Sequence, residues 1–166
     1  MASAEYVRLM AAYSAEMNRR LYAAAGRLDD ARRRAAGGVF WGSLHGTLAH
    51  LLWADRMWMS RLAEWPKPAA KLAESASYGG GFTRLAASRA RLDGDLLAWG
   101  EAVDTEWLAG DLAWFSDAAQ RDIVSPRTKI VVHLFNHQTH HRGQAHALLT
   151  RAGEATGDTD LFLVTP

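Results

Sequence analysis

Cysteine is absent from the 166-residue chain, so it can form no disulfide, offers no thiolate to a metal and has no thiol for nucleophilic catalysis. Any metal it binds must be held by nitrogen and oxygen. A dominant charge is missing too: 19 Lys and Arg against 18 Asp and Glu leave a formal net charge of +1, too little for a sustained basic surface along a phosphate backbone. The one basic cluster, Arg32, Arg33 and Arg34, follows Asp29 and Asp30 in an expected connection between helices, where a solvated loop or helix end is the simpler reading. No apolar run approaches the roughly 18 residues of a membrane span. Met1 to Tyr6 lack the basic segment, apolar run and cleavage site of a secretory leader. The expectation is a soluble cytoplasmic protein that engages neither nucleic acid nor membrane.

What is present is ordinary for a globular protein: 49% hydrophobic and 22% charged residues, in a chain long enough to bury a core without staples. A single domain over residues 1–166 accommodates it. Runs of β-branched residues are lacking, and four segments carry helical periodicity instead. The first runs from about Ala4 to Ala25, with Val7, Met10, Tyr13, Met17 and Leu21 on one face and Gly26 as its stop. A second starts near Val39 and reaches about Ala63, where Pro66 and Pro68 prevent continuation. After a loop containing Gly79, Gly80 and Gly81, a third runs from about Phe82 to Val103 with Leu85, Leu92, Leu96 and Trp99 inward. The fourth spans Pro126 to Ala152, with Ser125 as N-cap, Pro126 at the first helical position and Gly153 closing the far end. Between the third and fourth, residues 106–124 suggest an irregular segment or short hairpin, and Gly157 to Pro166 suggest coil. The predicted fold is an all-α four-helix bundle with long crossover connections.

The fourth helix carries His137 and His141, whose four-residue step puts both imidazoles on one face. They continue the stripe Ile130, Leu134, His137, His141, Ala145, Leu148, so they take positions that leucines would otherwise fill. Buried ring nitrogens without partners cost on the order of 1 to 3 kcal/mol each, which hydrogen bonds or a shared cation would offset. Satisfied core histidines and half of a metal site fit the spacing equally well. His133 and His140 lie off the stripe and His146 comes late, so all three are expected to be solvated or to stand behind the site. Gln138 argues against a zincin-type protease, because it stands where that mechanism needs a glutamate base.

On the second helix, His50 shares a face with Ser43, Gly46, Thr47, Ala54 and Met57, which are mostly small and leave room for a ligand, while His45 faces elsewhere. Asp55 could orient an imidazole or form an interhelical ion pair. Arg142 could receive a substrate carboxylate or pair with an acid, and Asn136 flanks the histidine pair. Gly143 is expected to permit close helix packing. Trp41, Trp53, Trp58, Trp107 and Trp114 are expected in the core, with a pocket wall or a dimer seam as the other readings.

Two stretches, Thr47-Leu48-Ala49-His50-Leu51-Leu52-Trp53-Ala54-Asp55-Arg56 and Asn136-His137-Gln138-Thr139-His140-His141-Arg142-Gly143-Gln144, together with Thr159-Asp160-Leu161, resemble the signatures of the DinB/YfiT-like metalloenzyme family, in the same order along the chain. The resemblance implies a helical bundle and a homodimer. It also implies that His50, His137 and His141 hold a divalent metal, zinc or nickel, with His140 merely intervening. Three neutral imidazoles leave a coordination position open for water or substrate. Relatives in the wider superfamily include thiol-dependent transferases and isomerases, so the implied function is a metal-dependent enzyme acting on a small molecule. It would be of transferase, isomerase or hydrolase type, activating water or a low-molecular-weight thiol. The alternative is a non-catalytic, damage-inducible metal-binding module of the stress response.

Overall fold

The computed structural model describes residues 2–117 and 119–164. Met1, Ala118, Thr165 and Pro166, including both ends of the expected domain and the last of the expected coil, lie outside the described residues. Helix α1 spans Ala4–Gly26, and its first turn is capped by the Ser3 hydroxyl, which accepts from the Tyr6 N–H. A short α2, Asp30–Arg34, takes up the arginine cluster. Asp29 caps it, Arg34 pairs with Asp30 at 2.7 Å, and Arg33 donates to the carbonyls of Ala25 and Leu28, so the triplet forms a helix end tied to α1.

Helix α3 spans Leu44–Leu62 and so begins later than the expected Val39. Gly42 closes a turn onto the Val39 carbonyl with φ +78°, a backbone region that favours glycine, and Ser43 then caps the Gly46 N–H at 3.0 Å. Gly46 has a second role, since a Cβ there would run into the Trp41 carbonyl oxygen. Its absence lets the preceding loop fold back over the first turn of α3. A 3-10 turn at Leu72–Ser77 then leads to α4, Phe82–Ala102.

The stretch between the third and fourth long helices is α5, Thr105–Ala109, followed by an antiparallel hairpin of β1, Asp111–Ser116, and β2, Arg121–Pro126. Its register pairs Asp111 with Pro126 and Ser116 with Arg121. Strand β2 feeds directly into α6, Arg127–Arg151. The expected capping therefore shifts by one residue: Ser125 is paired in the strand, Pro126 occupies the N-cap, and the Arg127 N–H is satisfied by the Gly110 carbonyl at 2.9 Å. Gly153, at φ +80°, closes α6 as expected. The expected C-terminal coil contains one helical turn, α7, Leu161–Val164. Just before it, the Tyr13 hydroxyl donates to the Thr159 carbonyl at 2.7 Å and Arg20 to the Asp158 carbonyl at 3.0 Å, fixing the tail on α1.

The four long helices form a bundle in which α1 packs on α4 and α6, and α3 packs on α6 and α4. Successive long helices α1 and α3 are thus diagonal, as are α4 and α6, and both diagonals are bridged by the long connections the sequence implies. Leu21, Leu48, Leu52, Leu85, Leu92 and Phe135 are among the largest side chains closed from solvent. Inside this apolar core lies a polar cluster drawn from the four long helices. Asn18 of α1 donates to Asp93 at 2.9 Å, Arg89 of α4 reaches Asp55 of α3 at 2.5 Å and Asp93 at 2.6 Å, and the Arg142 guanidinium of α6 lies within the field of both acids. Burial pulls the Arg89 pKa down, but Asp93 and Asp55 outweigh it and hold the guanidinium firmly charged. Burial raises the Asp93 pKa against the opposing pull of Arg89.

Candidate metal centre

Helices α3 and α6 pack side by side, and their contact brings His50 against His137 and His141. The Nε2 atoms of His50 and His137 lie 3.3 Å apart, and one nitrogen from each of the three rings falls within 4.8 Å of the others. His50 and His141 are 3% and 7% exposed, while His137 is partly open. Burial, reinforced by the charge that neighbouring imidazoles would carry, pushes His50 and His137 down to about 3. His141 is also lowered by burial, with its Gln144 hydrogen bond opposing. All three rings are therefore neutral at pH 7 and keep a lone pair.

For His141 the outer partner decides which nitrogen carries that lone pair. The Nδ1 of His141 lies 2.8 Å from the Gln144 Oε1, which can only accept, so Nδ1 bears the hydrogen and Nε2 faces the cluster unprotonated. The Gln144 amide nitrogen donates to His140 Nε2 at 3.2 Å, which fixes the amide orientation. His50 Nδ1 meets the Ser75 hydroxyl at 2.9 Å and thereby turns its Nε2 inward. Trp41 stacks on His50 at a centroid separation of 3.8 Å and an angle of 18°, covering one face of that ring. The His137 Nδ1 is buried without a hydrogen-bond partner.

Ser75 and Gln144 do not emerge from sequence reasoning, and Trp41 does so only as one of five tryptophans with a pocket wall among their readings. Ser75 and Trp41 sit in connections where no periodicity places a side chain, although Gln144, three residues after His141 on the same helix, had a readable spacing. Asp55 takes the second of its two expected roles: it is closed from solvent and bound to Arg89, and leaves His50 to Ser75. Arg142 points away from the histidines into the bundle, with long hydrogen bonds of 3.3 Å to Gln138 and Thr139 and its guanidinium 5.5 Å from the Tyr13 ring. Asn136 is exposed. Gly143 is exposed as well, and a Cβ there would meet nothing within 4 Å, so close packing is not its role.

Of the remaining histidines, His45 is buried with its Nε2 3.0 Å from the Gly80 carbonyl, and His146 bonds Thr156 at 3.1 Å, both apart from the cluster. His133 stands edge-on to Trp58, 4.9 Å between centroids, beside His137. Of the expected α6 stripe, Ile130, Leu134, His141 and Ala145 are buried and His137 and Leu148 partly so, and the buried face is wider than the stripe, taking in Val131, Phe135, Gln138, Arg142 and Leu149; His137 sits at its edge, facing α3. That edge opens into a cleft of about 220 Å³ lined by His50, Trp53, Met57, Trp58, His133 and His137, among others. The tryptophans expected in the core divide: Trp53 is buried beside His50, Trp58, Trp107 and Trp114 rest on the core by one side only, and Trp41 stacks on His50.

Fold and site together define a class: a helical bundle with three neutral imidazoles converging from facing helices beside an open cleft. The sequence profile of the DinB family matches residues 1–165, and the chain belongs to that family. Among solved structures, the chain is similar to YfiT from Bacillus subtilis, described as a probable metal-dependent hydrolase with an unusual four-helix bundle topology. The TM-score is 0.66 at 14% identity, over 93% of this chain and 92% of that one. At that identity the likeness is one of fold. No curated protein matches the chain. Among the described residues no helix is long and apolar enough to cross a membrane.

Proposed function

We propose that this protein is a metal-dependent enzyme of small-molecule chemistry, in which His50, His137 and His141 hold one divalent cation through their Nε2 atoms. The observation that carries the reading is the pair of Nε2 atoms 3.3 Å apart, with the outward Nδ1 atoms of His50 and His141 engaged by Ser75 and Gln144. Two imidazoles bound tetrahedrally at a zinc–nitrogen distance of about 2.0–2.1 Å have nitrogens about 3.3 Å apart, so the donors fit. Neutral nitrogen donors suit both Zn²⁺ and Ni²⁺. Among the described residues no carboxylate joins the three histidines, which supports an open coordination position over a closed structural site.

A bound cation supplies Lewis acidity, polarising a substrate oxygen or acidifying a water or small thiol. The chain's own groups do the rest. Ser75 orients the His50 ring, Gln144 holds the His141 tautomer, Trp41 shields one face of His50 from water, and Trp53 and Trp58 wall the approach. The likeness to YfiT supports hydrolysis as the reaction class, with water as the nucleophile.

Ser75→Ala is expected to weaken metal binding by about 10- to 100-fold, because His50 loses the partner that orients its ring. A chelator-competition titration reads this directly, and an unchanged affinity would remove Ser75 from the account. The open position is tested with the cobalt-substituted protein. Addition of 2-mercaptoethanol is expected to shift the visible cobalt bands and add a sulfur-to-metal charge-transfer band. A spectrum indifferent to thiol, azide and pH would mean a closed site and a structural cation.

A further inference from the structure

The cleft at the histidines does not end there. It continues into a groove of about 710 Å³ between α3, the segment following Pro66 and the hairpin, and the two share Trp53, Met57, Trp58, Arg61 and Leu72. The wall is held in place, since the Trp53 indole donates to the Ala70 carbonyl at 2.8 Å. Along α3, His50, Ala54, Met57 and Arg61 follow one another at helical spacing, and positions 50 and 61 are separated by about 16 Å of helix rise. The cleft is thus elongated, with the imidazoles at one end and a guanidinium at the other.

The charge in the groove is one-sided: Arg61, Lys67 and Lys71 line it against one acid, Asp117, among the described lining residues. Arg61 is the inner of the three cations. Its guanidinium carbon lies 4.6 Å over the Trp58 ring and 5.7 Å from Trp114, and it makes no hydrogen bond or ion pair within 4 Å among the described residues. Asp117 contributes only a field at longer range, opposing the lowering of the Arg61 pKa by burial. A half-buried guanidinium stacked between indoles, with its hydrogen-bonding edge free, is a receptor for a planar oxyanion. The tryptophans and Met57 supply an apolar wall between that receptor and the imidazoles.

Resting on the metal-site reading, we infer that the substrate is an elongated small-molecule anion with an apolar or aromatic body, whose carboxylate or similar oxyanion is received by Arg61 while its reacting end lies at the histidines. Lys67 and Lys71, exposed at the rim, draw the anion in. Arg61 confers specificity and takes no part in bond-making.

The test uses the full-length protein, metal-loaded and metal-free, with 4-phenylbutyrate and its uncharged amide as probes and tryptophan fluorescence as the readout. The acid is expected to bind about tenfold or more tightly than the amide, in both metal states. Arg61→Gln is expected to abolish that preference while leaving amide binding and metal content unchanged, and Arg61→Lys to restore part of it. Equal binding of acid and amide to wild type overturns the inference. So does a preference that appears only with metal and survives Arg61→Gln, because the cation would then be the receptor. Metal content of the same samples separates the two readings: a wild type that prefers the acid yet binds no metal retains the anion groove and loses the metal centre.

Discussion

Asp55→Ala is expected to destabilise the fold by about 3–5 kcal/mol, the loss typical when one partner is removed from a buried ion pair. The carboxylate has no exposure, and Arg89, 2% exposed, reaches it at 2.5 Å. Alanine leaves Arg89 with Asp93 alone and removes the carboxylate that most favours the protonated form of Arg142. Burial has already brought Arg142 down to about 10 against the opposing pull of Asp55, and loss of that carboxylate lowers it further. Domains of this size are stable by only about 5–15 kcal/mol, so the variant would lie close to the folding threshold. Urea unfolding reads the effect as a lower midpoint with an unchanged slope. A shift equivalent to under about 1 kcal/mol would mean that the cluster is better solvated than its burial implies.

His137→Ala is expected to lower affinity for a divalent cation by more than the roughly 10- to 100-fold that follows loss of an outer partner, because a donor is removed from the set. Unfolding of the metal-free protein is expected to move little, since this ring sits at the partly open edge of the cluster and its Nδ1 has no partner to lose. His45→Ala is the control: that histidine is equally buried on the same helix as His50 but bonds Gly80, away from the cluster. A chelator-competition titration is expected to separate the two variants widely. Similar affinities in both would mean that binding is not organised by the histidine cluster.

The sequence made the bundle legible because apolar spacing at the helical period survives in each long segment, and because Gly26, Pro66 and Gly153 mark the stops. The starts of α1, α4 and α6 were readable to within a residue, and that of α3 was not. The onset of α3 depends on Gly42 adopting positive φ and on Gly46 admitting the Trp41 carbonyl, and neither leaves a periodic trace. The hairpin register follows from β2 running without a break into α6, which displaces the expected Ser125 cap.

At the site, the juxtaposition of His137 and His141 follows from their four-residue step, and His50 joins them because α3 and α6 are neighbours in the bundle. Ser75 was beyond reach, since its contact with His50 depends on the path of a 3-10 turn. The full width of the buried face of α6 was hidden by Gln138 and Arg142: both are polar by sequence yet buried, and a stripe drawn through apolar residues leaves them out. Arg61 carries no motif or periodic signal in the sequence, and only the groove gives it a role.

The central claim is most directly tested by elemental analysis of untagged wild-type protein, purified without chelator and compared with His50→Ala and His141→Ala. Close to one equivalent of zinc or nickel per chain in wild type, lost in both variants while they stay folded, is the predicted result. A wild type that carries no divalent metal and takes none up on reconstitution would contradict it, leaving the three histidines as a hydrogen-bonded cluster in a bundle with no metal chemistry.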